Sequence, residues 1–265
     1  MIGFIGGGNM AEALLKGIVS SQRSAVSSIL VSEPSENRRK YLEQTYGVKT
    51  TDLNKEVASS CDIVILAVKP QVIAEVLDEV SDVVTDEKTV VSIASGITLS
   101  YLQSRLRTKK LIRVMPNTPA LVQKGMSVMS LCECFDDKDI YTVREVFMSV
   151  GNVLTLPEKQ MNAVTALSGS GPAFLAFFVE AMTEAGVSAG LSRGDASELA
   201  VQTFIGTAGL LETGMPPQKL REMVTSPGGT TAAGLKVLDE KGLNDLVRET
   251  ISAAVMRAEE LGRRD

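Results

Sequence analysis

Gly6-Gly7-Gly8-Asn9-Met10-Ala11 carries the spacing G-x-G-x-x-A. In that spacing Gly6 permits a tight turn, Gly8 lets backbone approach a pyrophosphate, and Ala11 allows a helix to pack closely on a strand. The first N–H groups of the helix that follows would face the phosphates with the positive end of its dipole. A structural glycine turn can produce the same spacing. Here the segment directly follows the apolar run Ile2–Ile5. It also opens a stretch with Met10, Ala13, Leu14, Gly17 and Ile18 at helical intervals. A strand, a glycine turn and a helix in that order predict a dinucleotide site.

The next strand-like run ends in Val31-Ser32-Glu33-Pro34-Ser35-Glu36-Asn37-Arg38-Arg39. An acidic side chain here, Glu33, would accept a hydrogen bond from a ribose 2′-hydroxyl and favour NAD. Ser32, Ser35, Asn37 and Arg38 could instead surround a 2′-phosphate and favour NADP. Arg38 and Arg39 also read as a solvated helix face. The residues leave the choice of nucleotide open.

Two more loops follow strand-like runs at their carboxyl ends, where ligands bind in open α/β sheets. Ala67-Val68-Lys69-Pro70 is one. The other is Met115-Pro116-Asn117-Thr118-Pro119, in which two prolines stiffen the backbone around Asn117 and Thr118. Lys69 also reads as a surface charge, and Asn117 as a turn residue. Further on, Ser168-Gly169-Ser170-Gly171-Pro172 places Pro172 at the first helical position, with Ser170 or Gly171 as cap. Thr225-Ser226-Pro227-Gly228-Gly229-Thr230-Thr231 leads into a helix in the same way. Each offers unpaired N–H donors suited to a carboxylate, or is an ordinary capped helix start.

The chain has no histidine, so the commonest general acid–base and metal-ligating side chain is missing. Cys61, Cys132 and Cys134 cannot pair completely or form a four-ligand zinc site alone, so reduced structural thiols and no bound metal are expected. A net charge of −5 argues against nucleic acid as a partner. The most apolar stretch, Ala173 to Val187, is broken by Glu180 and Glu184 and reads as a buried helix, not a membrane span. Met1 leads straight into Ile2–Ile5 with no basic leader, so a cytoplasmic protein is expected.

The elements that must position these loops can be read from periodicity. Ile2–Ile5, Ile29–Val31, Ile63–Val68, Thr89–Ile93 and Leu111–Met115 are short Val/Ile-rich runs without polar alternation. Strands covered on both faces read this way. Helical patterns lie between them, around Leu42 and Val76 as well as after Gly8. Ser127–Leu131 and Val153–Leu156, bracketing a helix around Val143–Phe147, complete the sheet. The fold class is therefore α/β: a doubly wound Rossmann-type sheet over residues 1–157, followed by an all-helical domain over residues 158–265. Helices are expected at Asn162–Leu167, Pro172–Ala189, Arg193–Leu211, Pro217–Met223, Thr231–Leu238 and Asp245–Leu261. Phe174, Leu175, Phe177, Phe178 and Val179 cover nearly the whole circumference of the second of these. So small a domain would complete its core against a second subunit, giving a homodimer.

Five segments, in order and spanning the chain, resemble pyrroline-5-carboxylate reductases. They are Phe4 to Ala11, Ala67 to Pro70, Arg113 to Pro119, Ser168 to Ala173 and Ser226 to Thr231. The last is the most characteristic, whereas the first is shared by many dehydrogenases. The resemblance implies NAD(P)H-dependent reduction of 1-pyrroline-5-carboxylate, a small molecule, to L-proline, the last step of proline biosynthesis. It implies a helical dimerisation domain and dimers assembled into rings. It leans to NADPH, although Glu33-Pro34 departs from the small polar or basic residues common there. On this reading Gly6, Gly8, Asn9 and Met10 line the pyrophosphate turn. Ser32 and Glu33 lie by the adenosine ribose, Ala67, Val68 and Lys69 on the adjacent ribose side, and Asn117 at the approach to the nicotinamide. N–H groups around Gly228, Gly229 and Thr230 hold the substrate carboxylate, the Thr231 hydroxyl bonds the ring nitrogen, and Ser168, Gly169, Ser170 and Gly171 form a wall. Two alternatives share the layout: a β-hydroxyacid dehydrogenase type of reductase, and a nucleotide-sensing regulator without turnover. The first needs a catalytic lysine on the long helix, and Pro172 to Ala189 contains none.

Overall fold

The structure is a computed structural model that describes residues 1–21, 28–132 and 137–262. Every expected strand is present. In chain order the first part runs β1 (Ile2–Ile5), α1 (Asn9–Ser20), β2 (Ile29–Ser32), α2 (Glu36–Tyr46), β3 (Lys49–Thr51), α3 (Asn54–Ser60) and β4 (Ile63–Leu66). It continues α4 (Ile73–Val80), β5 (Thr89–Ser92), α5 (Leu99–Arg105), β6 (Leu111–Met115), β7 (Gly125–Leu131), α6 (Asp137–Met148) and β8 (Gly151–Thr155). The eight strands form one sheet in the order β3-β2-β1-β4-β5-β6-β7-β8.

Neighbouring residues of each inner strand bury themselves on opposite faces, which is why the sequence shows no polar alternation. Phe4, Val31 and Ile65 join Leu14, Ile18, Val143 and Phe147 in one core. Ile5, Leu30, Val64 and Leu66 join Val57, Leu77 and Leu102 in the other. Strands β1 to β6 are parallel. The link from Pro116 to Lys124 holds only the short 3₁₀ turn Thr118–Val122, too little for a crossover. β7 therefore returns antiparallel to β6, and β8 runs parallel to β7.

Three elements were not expected. β3 is a half-exposed polar edge strand, α3 buries only Val57 and Ala58, and α5 buries only Leu99 and Leu102. Elements this short carry too few apolar residues to show a period.

The remaining elements are helical: α7 (Met161–Val164), α8 (Gly171–Ser188), α9 (Arg193–Glu212), α10 (Pro217–Met223), α11 (Thr230–Glu240) and α12 (Leu243–Gly262). The chain divides into compact units otherwise than at residue 157. One unit holds Met1–Ser170 and Ala254–Asp265, the other Gly171–Ala253. Met161 and Val164 bury against Val128 under Met115, Met126 and Leu156, which joins α7 to the sheet. Pro157 ends the strand signal in the sequence, but packing decides which unit the next turns join.

The expectation that the helix from Ala173 is buried all round does not hold within one chain. Thr183 is the only residue of α8 that is buried, and Leu175 and Phe177 are 58% and 72% exposed. Glu158–Ser188 as a whole is long and apolar enough to cross a membrane by length and composition.

Candidate active site

The loops after β1, β2, β4, β5 and β6 emerge at one edge of the sheet because these strands are parallel neighbours. The chain leaves β1 toward β2 on one side and reaches β4 on the other, so the crevice lies at the carboxyl ends of β1 and β4. Gly6 sits there with φ +99° and donates its N–H to the Ser32 carbonyl at 2.8 Å. A Cβ on Gly6 would lie 2.7 Å from the Ala67 carbonyl oxygen, so the turn both needs the left-handed region and abuts the β4 loop. Gly8 is different. Its φ is −71°, and a Cβ there would meet nothing within 4 Å. It caps α1 without any side-chain hydrogen bond, and the first N–H to find a carbonyl is that of Glu12, on Gly8. The N–H groups of Asn9, Met10 and Ala11 thus face open space in front of Gly8, where a pyrophosphate fits. Ala67 and Val68 line the neighbouring turn, and Lys69 is exposed beyond them. A surface cavity of about 630 Å³ around Ile2, Ile18 and Tyr141 opens at the other end of β1, away from these loops.

Beside the glycine turn, the Glu33 carboxylate accepts the Gly7 N–H and the Ser35 N–H, each at 3.0 Å. Ser32 is not part of this surface. Its hydroxyl is buried and donates to Asn54 Oδ1 at 2.8 Å, because the β2 register turns it into the sheet toward α3. Arg38 donates from Nε to the Gly7 carbonyl at 2.7 Å and from Nη2 to Glu12 at 2.5 Å. The Tyr41 and Tyr46 hydroxyls also donate to Glu12, at 2.8 Å each. Partial burial pushes the Glu12 carboxyl up, but these hydrogen bonds outweigh it and hold Glu12 below the usual carboxylate range. Burial and the bond to Glu12 push the Tyr46 phenol up. Sequence reading missed this cluster. Its members lie on α1 and α2, and nothing local marks them as partners.

The Asn117 side chain is engaged within the fold. Its Oδ1 accepts the Met126 N–H at 2.8 Å, and its Nδ2 donates to the Ser168 carbonyl and hydroxyl, both at 3.2 Å. It ties the β6 loop to the start of β7 and to the Ser168 segment. That segment is not the simple helix cap expected. Thr165–Gly169 forms a π-helical turn closed by the Ser170 N–H on the Thr165 carbonyl at 2.8 Å, and α8 begins at Gly171. A π turn offsets the helical hydrogen-bond register, and Asn117 satisfies the Ser168 carbonyl within it. Gly169 presses on Met115, whose Cε would lie 2.7 Å from a Cβ there. Asn117→Asp keeps the acceptor for Met126 but removes the donor to Ser168. The expected result is a several-fold rise in KM for the substrate at unchanged nucleotide affinity, measured by steady-state kinetics and nucleotide titration.

In the second unit, Gly228 takes φ +70° and turns the chain into α11. Gly229 is the cap, with no side-chain hydrogen bond, and its carbonyl accepts the Ala233 N–H at 3.1 Å. The N–H groups of Thr230, Thr231 and Ala232 are thereby left for a ligand. Thr231 is half-buried, and its hydroxyl makes no hydrogen bond among the described residues.

Residues 158–261 match the family described as pyrroline-5-carboxylate reductase dimerisation, and residues 1–96 that of the coenzyme F420-dependent NADP oxidoreductases. Over 264 residues the chain is 41% identical to a pyrroline-5-carboxylate reductase of Synechocystis, covering 99% of this chain and 98% of that one. The chain belongs to the pyrroline-5-carboxylate reductase family. A reductase structure from Coxiella burnetii superposes with a TM-score of 0.93 at 36% identity, over 99% of this chain and 98% of that one. One from Plasmodium falciparum, with NADP bound, does so with 0.86 at 31% identity, over 98% and 97%.

As a member of this family the chain is an NAD(P)H-dependent oxidoreductase, and its own residues fit the nucleotide. The uncapped start of α1 and the open space before Gly8 are what a pyrophosphate needs. The exposed apolar residues of α8 fall inside the matched dimerisation region. The chain forms homo-oligomers. The thiols play no visible part in this chemistry. Burial pushes Cys61 up to about 11, and the Cys132 thiol donates to the Lys109 carbonyl. Cys134 lies outside the described residues.

Proposed function

We propose that the chain reduces 1-pyrroline-5-carboxylate to L-proline, the last step of proline biosynthesis, as a small-molecule enzyme of the cytoplasm. The observation that carries this reading is the whole-length match to the family in a chain that keeps both uncapped helix starts, at Gly8 and at Gly229. NADPH or NADH supplies a hydride, which must reach the imine carbon while the ring nitrogen takes a proton.

The chain's own part is to hold the substrate. The Gly229 N–H expected to hold the carboxylate is taken by the Ser226 carbonyl at 3.0 Å, so the free N–H groups of Thr230, Thr231 and Ala232 take it instead, next to Gly228 at the positive end of α11. The Thr231 hydroxyl hydrogen-bonds the ring nitrogen. Ser168, Gly169, Ser170 and Gly171 are a run of small residues suited to a ring, and Asn117 holds Ser168 in place. No histidine is present to deliver the proton. An imine is basic enough to bind protonated or to take its proton from water. Catalysis is then mainly positioning, which alone accounts for several kcal/mol, roughly 7–11 in favourable cases.

The test is oxidation of NADPH and NADH by purified protein, followed with and without pyrroline-5-carboxylate. Turnover that depends on the imine supports the reading, and none with either nucleotide overturns it. The assembly is a homodimer through α8, with rings of dimers as the larger form. Light scattering on the active protein at micromolar concentration is expected to give a dimer mass or a multiple of it. An active monomer would remove the dimer from the proposal.

A further inference from the structure

We propose that this chain takes NADH in preference to NADPH, and that Glu33 is the residue that sets the preference. The inference rests on the dinucleotide reading of the glycine turn and goes beyond it by choosing between the two nucleotides. β2 pairs directly with β1, so the residue following β2 stands beside the turn that begins at Gly6. Glu33 occupies that place. Its two carboxylate oxygens are fixed by the N–H groups of Gly7 and Ser35, at 3.0 Å each. A dinucleotide anchored by its pyrophosphate on α1 brings its adenosine ribose to the end of β2. A 2′-hydroxyl there can donate to the remaining lone pairs of the carboxylate. A 2′-phosphate has little or no proton to give at neutral pH and brings nearly two negative charges against a third.

The cations that could offset that charge are already engaged. Arg38 is held by the Gly7 carbonyl and by Glu12, and its guanidinium lies 5.1 Å over the Tyr41 ring. Arg39 donates to the carbonyls of Glu33 and Pro34 at 2.6 and 3.0 Å. Lys40 pairs with Glu36 at 2.6 Å. For Arg38 to reach a 2′-phosphate it must release Gly7, the middle residue of the turn that holds the pyrophosphate, and leave Glu12 with two tyrosines. Recruiting the cation would therefore disturb the anchor of the same ligand. From sequence alone Arg38, with Ser32, Ser35 and Asn37, was as open a phosphate site as Glu33 was a ribose site. The hydrogen bonds of Arg38 remove that symmetry.

The experiment is titration calorimetry of NADH and NADPH, without substrate, on the wild-type protein and on Glu33→Gln and Glu33→Ser. Gln keeps an oxygen for the Gly7 N–H and removes only the charge. Ser removes the whole group, so the pair separates charge from shape, and either variant suffices if the other fails to fold. The wild type is expected to bind NADH at least tenfold more tightly than NADPH. In the variants that ratio should fall at least tenfold, through weaker NADH and tighter NADPH binding. A wild type that binds NADPH as tightly as NADH, or a ratio unmoved by both substitutions, overturns the proposal. Selective NADH binding without reduction of pyrroline-5-carboxylate would support this inference while sinking the proposed reaction. Failure to bind either nucleotide would sink both.

Discussion

Gly8→Ala is expected to weaken nucleotide binding by about tenfold or more while leaving the melting temperature almost unchanged. Gly8 has an ordinary φ of −71°, and a methyl group there touches nothing in the protein within 4 Å. The fold should therefore tolerate it, as it tolerates most exposed substitutions, within about 0.5 kcal/mol. The same methyl would stand in front of the N–H groups of Asn9, Met10 and Ala11. A pyrophosphate pushed away from them loses charge-assisted hydrogen bonds of roughly 1.5–3 kcal/mol each. Loss of even one corresponds to about tenfold or more in Kd.

Gly6→Ala should behave in the opposite way. A φ of +99° and a 2.7 Å approach to the Ala67 carbonyl oxygen make it a folding defect first. It should cost at least about 1–2 kcal/mol of backbone strain and lower Tm by several degrees. Nucleotide titration and thermal melting of the two variants decide the matter. Unchanged affinity in Gly8→Ala would mean that the pyrophosphate does not lie on α1.

Thr231→Ala is expected to lower kcat/KM about tenfold or more, some 1.4 kcal/mol of transition-state binding, at unchanged nucleotide affinity and unchanged Tm. A threonine at the start of a helix commonly serves as a cap, and losing a cap costs about 1 kcal/mol of stability. That account does not apply here. The cap is Gly229, without a side-chain bond, and the Thr231 hydroxyl has no partner within the described chain. A hydroxyl that contributes little to the helix, next to three unpaired N–H groups, is available to a ligand. Steady-state kinetics in pyrroline-5-carboxylate together with a melting curve separate the two roles. A variant that melts lower but turns over normally would make Thr231 a helix residue and displace the proposed substrate site.

Much of this was legible before any coordinates. Strands buried on both faces must be apolar at every position, so Ile2–Ile5 and Ile63–Leu66 announce themselves. A phosphate loop needs glycines at a fixed spacing after such a strand, so the Gly6 turn announces itself as well. The helices from Arg193 and Pro217 are marked by Ser192 and by two prolines. β3, α3 and α5 escaped notice because each buries at most two residues, too few to set a period. Ser32 was misplaced for a related reason. Neighbouring residues of a strand point to opposite faces, and the sequence does not say which face of β2 meets α3.

The sequence by itself determined the order of the buried strands and the longer helices, the glycine turn, the lack of imidazole chemistry and the family. All of these depend on residue type and on spacings of a few positions. Tertiary structure alone decided what the polar side chains do, because their partners are remote in the chain. Arg38 meets Gly7 across 31 residues, Tyr46 meets Glu12 across 34, and Asn117 meets Ser168 across 51. The same arginine is a phosphate ligand when its hydrogen bonds are open and a loop brace when they are filled. Which of the two it is depends on the distance from α2 to the glycine turn, a quantity fixed by the packing of α1 and α2 on the sheet and by no local run of residues.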